Sequence, residues 1–248
     1  MAEREKVEAA LVVIGNEILS GRTQDRNIAF LGGALADIGV MLAQVRIVPD
    51  RHEDIIEAVN ELRHRYAYVF TTGGIGPTHD DITAEAVARA FDVALHHHPE
   101  AMAILEAYYR KGEFNEARQR MARTPVGAVL VENPVSKAPG FRMENVYCFA
   151  GIPAVMQAMF GSVRHELDGG ARMLSATVPV ALAEGDIADR LEAIQKKYPD
   201  VEIGSYPYYQ KGRYGTNIVL RSVNGVHLAA AESEVKEMAF SSRSKSRD

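Results

Sequence analysis

The sequence predicts an α/β protein in which a mostly parallel sheet lies between two layers of helices, followed by a small α+β domain. Strand-like and helix-like hydrophobic periods alternate through the first two thirds of the 248-residue chain, as in folds that connect parallel strands through helices. The boundary 168–170, Asp-Gly-Gly, then precedes a β-α-β-β-α pattern. We therefore expect domains at residues 1–168 and 171–240, and a polar, disordered tail at residues 241–248.

The elements of the first domain are predicted from the spacing of its apolar residues. Strands are expected at residues 7–14, 40–48, 68–72, 128–131 and 146–149. Helical faces, in which apolar residues recur every three or four positions, follow most of these strands. They contain Ile28, Leu31, Leu35 and Ile38; Ile55, Val59, Leu62 and Tyr66; Ile82, Ala86 and Phe91; Met102, Leu105 and Tyr109; and Met156, Met159, Val163 and Leu167.

The second domain is predicted to contain three strands and two helices. The strands are expected at residues 176–180, 201–206 and 217–221, and the helices at residues 186–197 and 226–238. A unit of roughly 70 residues is near the lower size limit for a core that folds alone.

Composition restricts the class of protein. A net charge of −5 argues against coating nucleic acid or lying on a membrane surface. No apolar run is long enough to cross a bilayer, and the charged N-terminus is unlike a signal peptide, so we expect a cytoplasmic protein. The one cysteine, Cys148, lies in an apolar run, where an inert buried thiol is expected.

The segment 71–85 follows the third predicted strand and contains Gly73, Gly74 and Gly76. Glycines allow a ligand to approach the backbone, and the helix that follows offers unpaired N–H groups to a phosphate. The adjacent carboxylates Asp80 and Asp81 are oxygen ligands suited to a divalent cation. The segment matches neither the P-loop nor the dinucleotide-binding glycine pattern. It predicts a phosphate site with acidic groups beside it.

Polar residues also follow the first two strands. Gly15, Asn16 and Glu17 come after the first, and Asp50 after the second. In parallel sheets ligands bind beyond the carboxyl ends of the strands, so one shared cleft is expected. Asp50 also fits a capping box with Glu53, and we expect it to cap the next helix, as we do Asp80 or Asp81. Such a cap still faces the cleft.

Other candidates have alternative structural interpretations. Asn27 is expected to be either a helix cap or a ligand contact. The turn-rich segment 133–141 is a hairpin, or it brings Ser136 and Lys137 over an anionic ligand. Gly151 and Pro153 lie at a strand-to-helix turn whose N–H groups can contact an anion. The three histidines at 96–98 are expected to form a solvated connector rather than a metal site.

These motifs, in this order, resemble the MoaB/Mog molybdopterin-binding domain family, most closely the N-terminal part of the CinA group. The matching residues are Gly15, Asn16, Glu17, Asn27, Asp50, Gly73, Gly74, Gly76, Pro77, Thr78, Asp80, Asp81, Thr83, Glu85, Asn133, Pro139, Gly140, Gly151 and Pro153. The resemblance covers residues 7–168 and implies a MoaB/Mog-like fold. The second domain is similar to the KH-like middle module of CinA proteins.

The resemblance implies two alternative chemistries. CinA-type domains resemble metal-dependent pyrophosphatases acting on ADP-ribose or FAD, and Mog-type enzymes adenylylate molybdopterin. Asp80 with Asp81, and the segment 15–17, follow the CinA pattern, so we expect a pyrophosphatase. A Mog-like adenylyltransferase and a non-catalytic cofactor-sensing module are the alternatives.

The resemblance also implies roles for individual residues. Asp50, Asp81 and Glu17 are expected to be catalytic, and Asp80 and Asp81 to hold Mg²⁺ or Co²⁺. The ligand, a pterin such as molybdopterin or a nucleotide pyrophosphate, is expected to contact Gly15, Asn16, Asn27, Gly73, Gly74, Gly76, Pro77, Thr78, Thr83, Glu85, Asn133, Ser136, Lys137, Pro139, Gly140, Gly151 and Pro153. A homodimer or homotrimer is expected, without a nucleic-acid or membrane partner.

Overall fold

The predicted alternation of strands and helices is present in a computed structural model, which describes residues 6–210 and 213–245. The chain divides into two units after Gly170. The elements of the first unit are β1 (Val7–Ile14), α1 (Asn16–Leu19), α2 (Asn27–Ala36), β2 (Val40–Val48), α3 (His52–Arg63), β3 (Tyr68–Thr72), α4 (Thr83–Ala90), β4 (Leu95–His97), α5 (Pro99–Tyr108), α6 (Glu116–Gln119), β5 (Arg123–Pro125), β6 (Val129–Val131), β7 (Gly140–Met143), β8 (Val146–Phe149) and α7 (Pro153–Val163). Short 3-10 turns lie at Arg120–Ala122 and Arg164–Glu166.

Six strands of this unit form one sheet in the order β2-β1-β3-β8-β7-β6. The first four are parallel, and β7 is antiparallel to both β8 and β6. Because β6 therefore runs in the same direction as β8, the loop that leaves β6 emerges at the edge where β1, β2, β3 and β8 also end. This topology brings five loops to one edge of the sheet.

Helices cover both faces of the sheet, which confirms the predicted three layers. Alternate residues of β1 point to opposite faces, as the pleat requires. Leu11 packs in a core with α2 and α7, whereas Val12 packs in a second core with α3 and α4. The apolar run 9–14 of β1 is explained by this burial on both sides.

The structure also contains elements that the sequence did not predict. The segment around the three histidines is a strand, β4, which pairs with β5 as a two-stranded ribbon, so the expected connector was wrong. The strand β7 lies between the two strands that segment 133–141 was expected to join. The three missed strands, β4, β5 and β7, are short and contain residues that seldom occur in strands, such as His96, Pro125 and Gly140.

The second unit has the predicted order of elements: β9 (Leu174–Val180), α8 (Glu184–Lys197), β10 (Glu202–Gln210), β11 (Arg213–Ser222) and α9 (Gly225–Lys245). Its antiparallel sheet has the strand order β10-β11-β9. Ile187 of α8, Val235 of α9 and Ile218 of β11 are fully buried in its core. This is a small α+β domain, as expected from the sequence.

The last helix overlaps the predicted tail. Helix α9 continues to Lys245, and residues 246–248 of the expected disordered segment 241–248 lie outside the described residues. None of the helices in the described parts of the chain combines the length and the apolar character that a membrane span needs.

Candidate functional site

A cavity of about 600 Å³ lies at the edge of the first sheet where the loops meet. This volume is in the range of small-molecule sites. The predicted site residues that line it are Glu17, Asp50, Gly73, Gly74, Gly76, Pro77, Asp80, Asp81, Asn133, Ser136, Gly151 and Pro153. The structure therefore brings together residues from the ends of β1, β2, β3, β6 and β8.

The floor of the cavity is the glycine loop after β3. Gly73 has φ +102°, and a Cβ there would lie 2.2 Å from the carbonyl oxygen of Ile14, at the end of β1. Gly74 has φ +66°, and a Cβ there would lie 2.2 Å from the Thr83 hydroxyl. Both positions therefore require glycine, because an L side chain would be strained and would overlap a neighbour.

Thr83 holds this loop from the buried side. Its hydroxyl donates to the Gly73 carbonyl over 2.9 Å, and its N–H donates to the Gly74 carbonyl, also over 2.9 Å. Thr83 is fully buried and does not line the cavity. The predicted ligand contact is thus a residue that fixes the shape of the glycine loop.

The N–H groups of the loop are available to an anion. The Gly73 N–H is occupied, since it donates to the Phe149 carbonyl over 3.1 Å. The N–H groups of Gly74, Ile75 and Gly76 have no protein acceptor among the described residues. All three residues line the cavity. Successive free backbone N–H groups of this kind form a concave site for a phosphate.

Asp81 turns back into the glycine loop and does not cap α4. Its Oδ2 accepts hydrogen bonds from the Thr78 N–H at 2.7 Å and from the Thr78 hydroxyl at 2.6 Å. The N-cap position of α4 is Ile82, without a side-chain cap. A Cβ at Gly76 would lie 2.6 Å from the same oxygen. The expected cap at Asp80 or Asp81 was therefore wrong, because Thr78 is the nearer donor.

Asp80 is exposed beside it. The neighbouring Thr78 side chain lowers the pKa of this carboxyl, its own backbone N–H adds to the effect, and the nearby His79 lowers it further. Asp80 is therefore ionised at neutral pH. Together, Asp80 and Asp81 present two carboxylates next to the free N–H groups of the loop.

Asp50 is not the helix cap that its sequence pattern indicates. The N-cap position of α3 is Arg51, and no side chain caps this helix. The Asp50 carboxylate instead accepts a hydrogen bond from the Asn16 N–H, 34 residues earlier, at 2.8 Å. The capping prediction was wrong because this distant donor competes with the local one. As a result the carboxylate faces the cavity.

Glu17 provides the fourth carboxylate. Its oxygens would lie 2.5 Å from a Cβ at Gly15, so the carboxylate lies against the Gly15 backbone. Gly15 and Asn16 do not line the cavity themselves. Their part is to position Glu17 and Asp50 respectively.

Asn27 connects two loops and is neither the expected cap nor a cavity residue. Its Nδ2 donates to the Gly151 carbonyl over 2.8 Å, and the side chain is buried. The N-cap position of α2 is Arg26, and in the first turn the Ile28 N–H donates to Oδ1 of Asp25. Asn27 thus holds the Gly151 turn, which does line the cavity, against α2.

The loop from β6 to β7 is held together by Asn133. Its Oδ1 accepts from the N–H groups of Val135 and Ser136, each at 3.1 Å. Its Nδ2 donates to the Ser136 hydroxyl at 2.7 Å and to the Ala138 carbonyl at 2.8 Å. These four bonds use the full hydrogen-bonding capacity of the amide. Asn133 therefore lines the cavity as a structural residue.

Ser136 of this loop also lines the cavity, whereas the other predicted residues of the loop point elsewhere. Lys137, with φ +61°, lines a separate cavity of about 380 Å³ together with Pro139. A Cβ at Gly140 would lie 2.3 Å from the Cys148 carbonyl oxygen, so this glycine allows β7 to approach β8. The expected closure of Lys137 over a ligand in the main cavity is not present in this structure.

Glu85 lies outside the cavity. It pairs with Arg89 one turn later in α4, and its Oε1 lies 3.5 Å from His52 Nε2 of α3. Two residues along a helix correspond to a rotation of about 200°, so Glu85 faces away from Thr83. Thr78 also lies outside the lining, and acts through Asp81.

Sequence reasoning missed the apolar residues of the cavity. These are Ile14, Ile75, Met121, Ala138, Ala150, Ile152 and Val155, with Thr23 as a further polar residue. Ile152, between Gly151 and Pro153, is 66% exposed. Met121 was not predicted because it lies in a segment with several arginines, which was interpreted as a solvent-exposed helix face.

The charged side chains among the described lining residues of the cavity are all acidic. Glu17, Asp50, Asp80 and Asp81 line it, and no lysine, arginine or histidine does so among the described residues. The part of the chain that the structure describes contains no group of three His, Cys, Asp or Glu side chains close enough to enclose a metal ion. This donor set fits Mg²⁺, which commonly binds through one or two carboxylates and completes its shell with water and substrate phosphates.

Cys148 is buried in the sheet, as predicted. It is fully enclosed, and this burial raises the pKa of its thiol to about 12. A thiol in this state is neutral at physiological pH and is a poor nucleophile.

Comparison with known families and proteins agrees with this geometry. Residues 10–168 match the family described as "Probable molybdopterin binding domain", and residues 172–246 match the FAD synthase middle domain. A protein from Aeropyrum pernix is 36% identical over 82% of this chain and 80% of its own length.

Two further relatives carry more specific names. The chain is 28% identical to the "Probable FAD synthase" of Caenorhabditis briggsae over 96% of this chain, but it spans only 50% of that protein. The crystal structure of the protein CinA, of unknown function, from Thermoplasma acidophilum matches with a TM-score of 0.62 and 30% identity, over 65% of this chain and 99% of that one.

Proposed function

The chain belongs to the molybdopterin-binding domain family, and on this premise we propose that it is a divalent-metal-dependent pyrophosphatase acting on a nucleotide pyrophosphate such as ADP-ribose or FAD. The match of residues 172–246 to the FAD synthase middle domain supports a nucleotide of this kind. So does the similarity to the FAD synthase of Caenorhabditis briggsae.

One observation carries the proposal: the cavity has free backbone N–H groups beside four carboxylates and no basic side chain among its described lining residues. The N–H groups suit a phosphate, whereas the carboxylates repel one. A divalent cation held by these carboxylates would remove this conflict. The electrostatics of the cavity therefore favour a metal-bound pyrophosphate over a free one.

Asp80 and Asp81 are the residues that would hold the cation. Thr78 occupies Oδ2 of Asp81, so Oδ1 is the oxygen left for the ion. A bound Mg²⁺ or Co²⁺ supplies Lewis-acid polarisation of the phosphoryl oxygens. The N–H groups of Gly74, Ile75 and Gly76 stabilise the negative charge that develops on the same oxygens.

Asp50 and Glu17 are placed to act on the attacking water. The water oxygen bonds to one phosphorus, the bond from that phosphorus to the bridging oxygen breaks, and the carboxylate accepts the water proton. The bridging oxygen leaves with the second phosphate, so two monophosphates are formed. Asp50 is the better oriented base, since Asn16 fixes its position.

The test is to incubate the purified protein with ADP-ribose or FAD and with Mg²⁺, Co²⁺ or EDTA. Release of AMP that depends on the metal supports the proposal. Adenylylated product from ATP and molybdopterin would instead identify an adenylyltransferase. Thermal stabilisation by these ligands without turnover would identify a binding module.

We also propose, from the family, that the protein forms a homodimer or homotrimer. Light scattering coupled to size-exclusion chromatography measures the molar mass, to be compared with a single chain.

A further inference from the structure

The strand order of the first sheet separates the four carboxylates of the cavity from most of its apolar side chains. Across the sheet, β2 contributes Asp50, β1 contributes Glu17, and β3 contributes Asp80 and Asp81 with the glycine loop. The strands on the other side of β3 contribute residues of a different kind. Ala138, which precedes β7, and Ala150, Ile152 and Val155, which follow β8, form an apolar wall together with Met121 of the 3-10 turn before β5.

The exposure of the apolar wall is concentrated at Ile152. This side chain is 66% exposed, whereas Val155, one turn into α7, is 7% exposed and anchored in the core. Ile152 lies at the rim of the cavity, and its exposed side chain is therefore in position to cover the face of a flat ligand. Apolar residues of this kind commonly hold the ring of a cofactor or nucleotide.

The polar groups next to the apolar wall have little capacity to recognise a particular ring. All four hydrogen bonds of the Asn133 amide are made within its own loop. The Ser136 hydroxyl accepts one of them and retains its own proton and one lone pair. Among the described lining residues on this side, the only side chain left to recognise a ring edge is therefore this one hydroxyl.

The distance between the two sides matches the ligand. Neighbouring strands lie about 4.8 Å apart, so Ala150 and Ile152, which follow β8, are one strand away from the glycine loop, and Ala138, which precedes β7, is two strands or roughly 10 Å away. When a phosphate of the ligand lies over the glycine loop, a ring joined to that phosphate through a sugar or a sugar alcohol therefore reaches the apolar wall.

We infer that the apolar wall is the subsite for the aromatic ring of the ligand, and that it holds the ring by its faces without selecting its edge. This rests on the proposed function, since it takes the ligand to be a nucleotide pyrophosphate. Adenine and flavin rings are therefore both accepted, and the chemistry of the site is directed to the pyrophosphate rather than to one base.

The experiment uses ring compounds without phosphate, so that neither hydrolysis nor metal is involved. Riboflavin binding is measured by its fluorescence and adenosine binding by calorimetry, both in EDTA. The Ile152→Ser variant is expected to raise both dissociation constants about five- to thirtyfold, from the loss of apolar contact. Met121→Thr provides a second test in a different element. Val135→Ser, an exposed residue outside the cavity, is the matched control and is expected to change neither constant.

The outcomes separate this inference from the proposed function. Unchanged binding of both rings to Ile152→Ser and Met121→Thr would overturn it, even if the protein hydrolyses FAD. Selective loss of one ring in Ser136→Ala would overturn the lack of edge recognition. Ring binding that weakens in both wall variants supports the inference even if no pyrophosphatase activity is found.

Discussion

The carboxylate of Asp50 accepts a hydrogen bond from the backbone N–H of Asn16 over 2.8 Å. This contact joins the loop after β2 to the loop after β1. It fixes one carboxylate of the cavity from a backbone group, which cannot rotate away. The position of Asp50 is therefore part of the fold rather than a consequence of ligand binding.

Replacing Asp50 by asparagine removes the negative charge of this side chain but keeps its position. The Asp50→Asn side chain keeps an oxygen for the Asn16 N–H, so we expect a melting temperature close to that of the unchanged protein. Turnover is expected to fall by about 100-fold, because the base is lost. Asp50→Ala loses the contact as well and is expected to cost about 1 kcal/mol of unfolding free energy. Full turnover in Asp50→Asn would exclude a role as the base.

Replacement of Asp81 tests the cation site. Asp81→Asn retains an acceptor for Thr78, and the loop is expected to keep its shape. The loss of one negative charge is expected to weaken Mg²⁺ binding in the presence of ADP-ribose by about tenfold or more, as measured by calorimetry. Equal Mg²⁺ affinity in the variant and in the unchanged protein would place the ion elsewhere.

Glu85 provides a contrast with Asp81. Its contacts are Arg89 and His52, outside the cavity. Glu85→Gln is therefore expected to change kcat and KM by less than about twofold, with a small loss of stability, on the order of 0.5 kcal/mol. A large rise in KM would show that Glu85 reaches the ligand after all.

The glycine loop is expected to tolerate no side chain at Gly73. Alanine there is strained at φ +102° and overlaps the Ile14 carbonyl, which is backbone and cannot move aside. We expect Gly73→Ala to lower the unfolding free energy by about 3 kcal/mol or more. Gly33→Ala, in the exposed middle of α2 with nothing near its Cβ, is the control and is expected to stabilise by about 0.5–1 kcal/mol. Denaturant titrations of both variants provide the comparison.

Cys148 is expected to be unreactive in the folded protein. Because its pKa is raised to about 12, the thiolate is almost absent at pH 8, and burial excludes the reagent. A disulfide reagent such as DTNB should therefore detect no thiol in native conditions and one per chain in guanidinium. Rapid reaction without denaturant would indicate local opening of β8.

The three layers of the first domain could be predicted from the sequence, and so could the edge of the sheet at which the loops meet. Apart from Glu8, every residue from Val7 to Ile14 is apolar, as expected of a strand that is buried on both faces. The glycine loop was also predictable, because Gly73 and Gly74 occur where only glycine fits. These features depend on local pattern.

The rest of the site depends on contacts between residues far apart in the chain. No local pattern shows that Asp50 prefers the N–H of Asn16 to its own helix. Asn133 was expected to bind a ligand, but its amide is used within its loop. Met121 reaches the cavity only because the 3-10 turn that contains it is placed there by the tertiary fold.

The polarity of the cavity also divides along the chain. Its carboxylates all come from residues 17–81, and its apolar wall comes entirely from residues 121–155. Two consecutive stretches of sequence thus encode the two halves of one binding site. Mutations confined to the second stretch can alter which molecules are accepted while the first stretch is inherited unchanged, so substrate range and reaction chemistry are free to evolve separately.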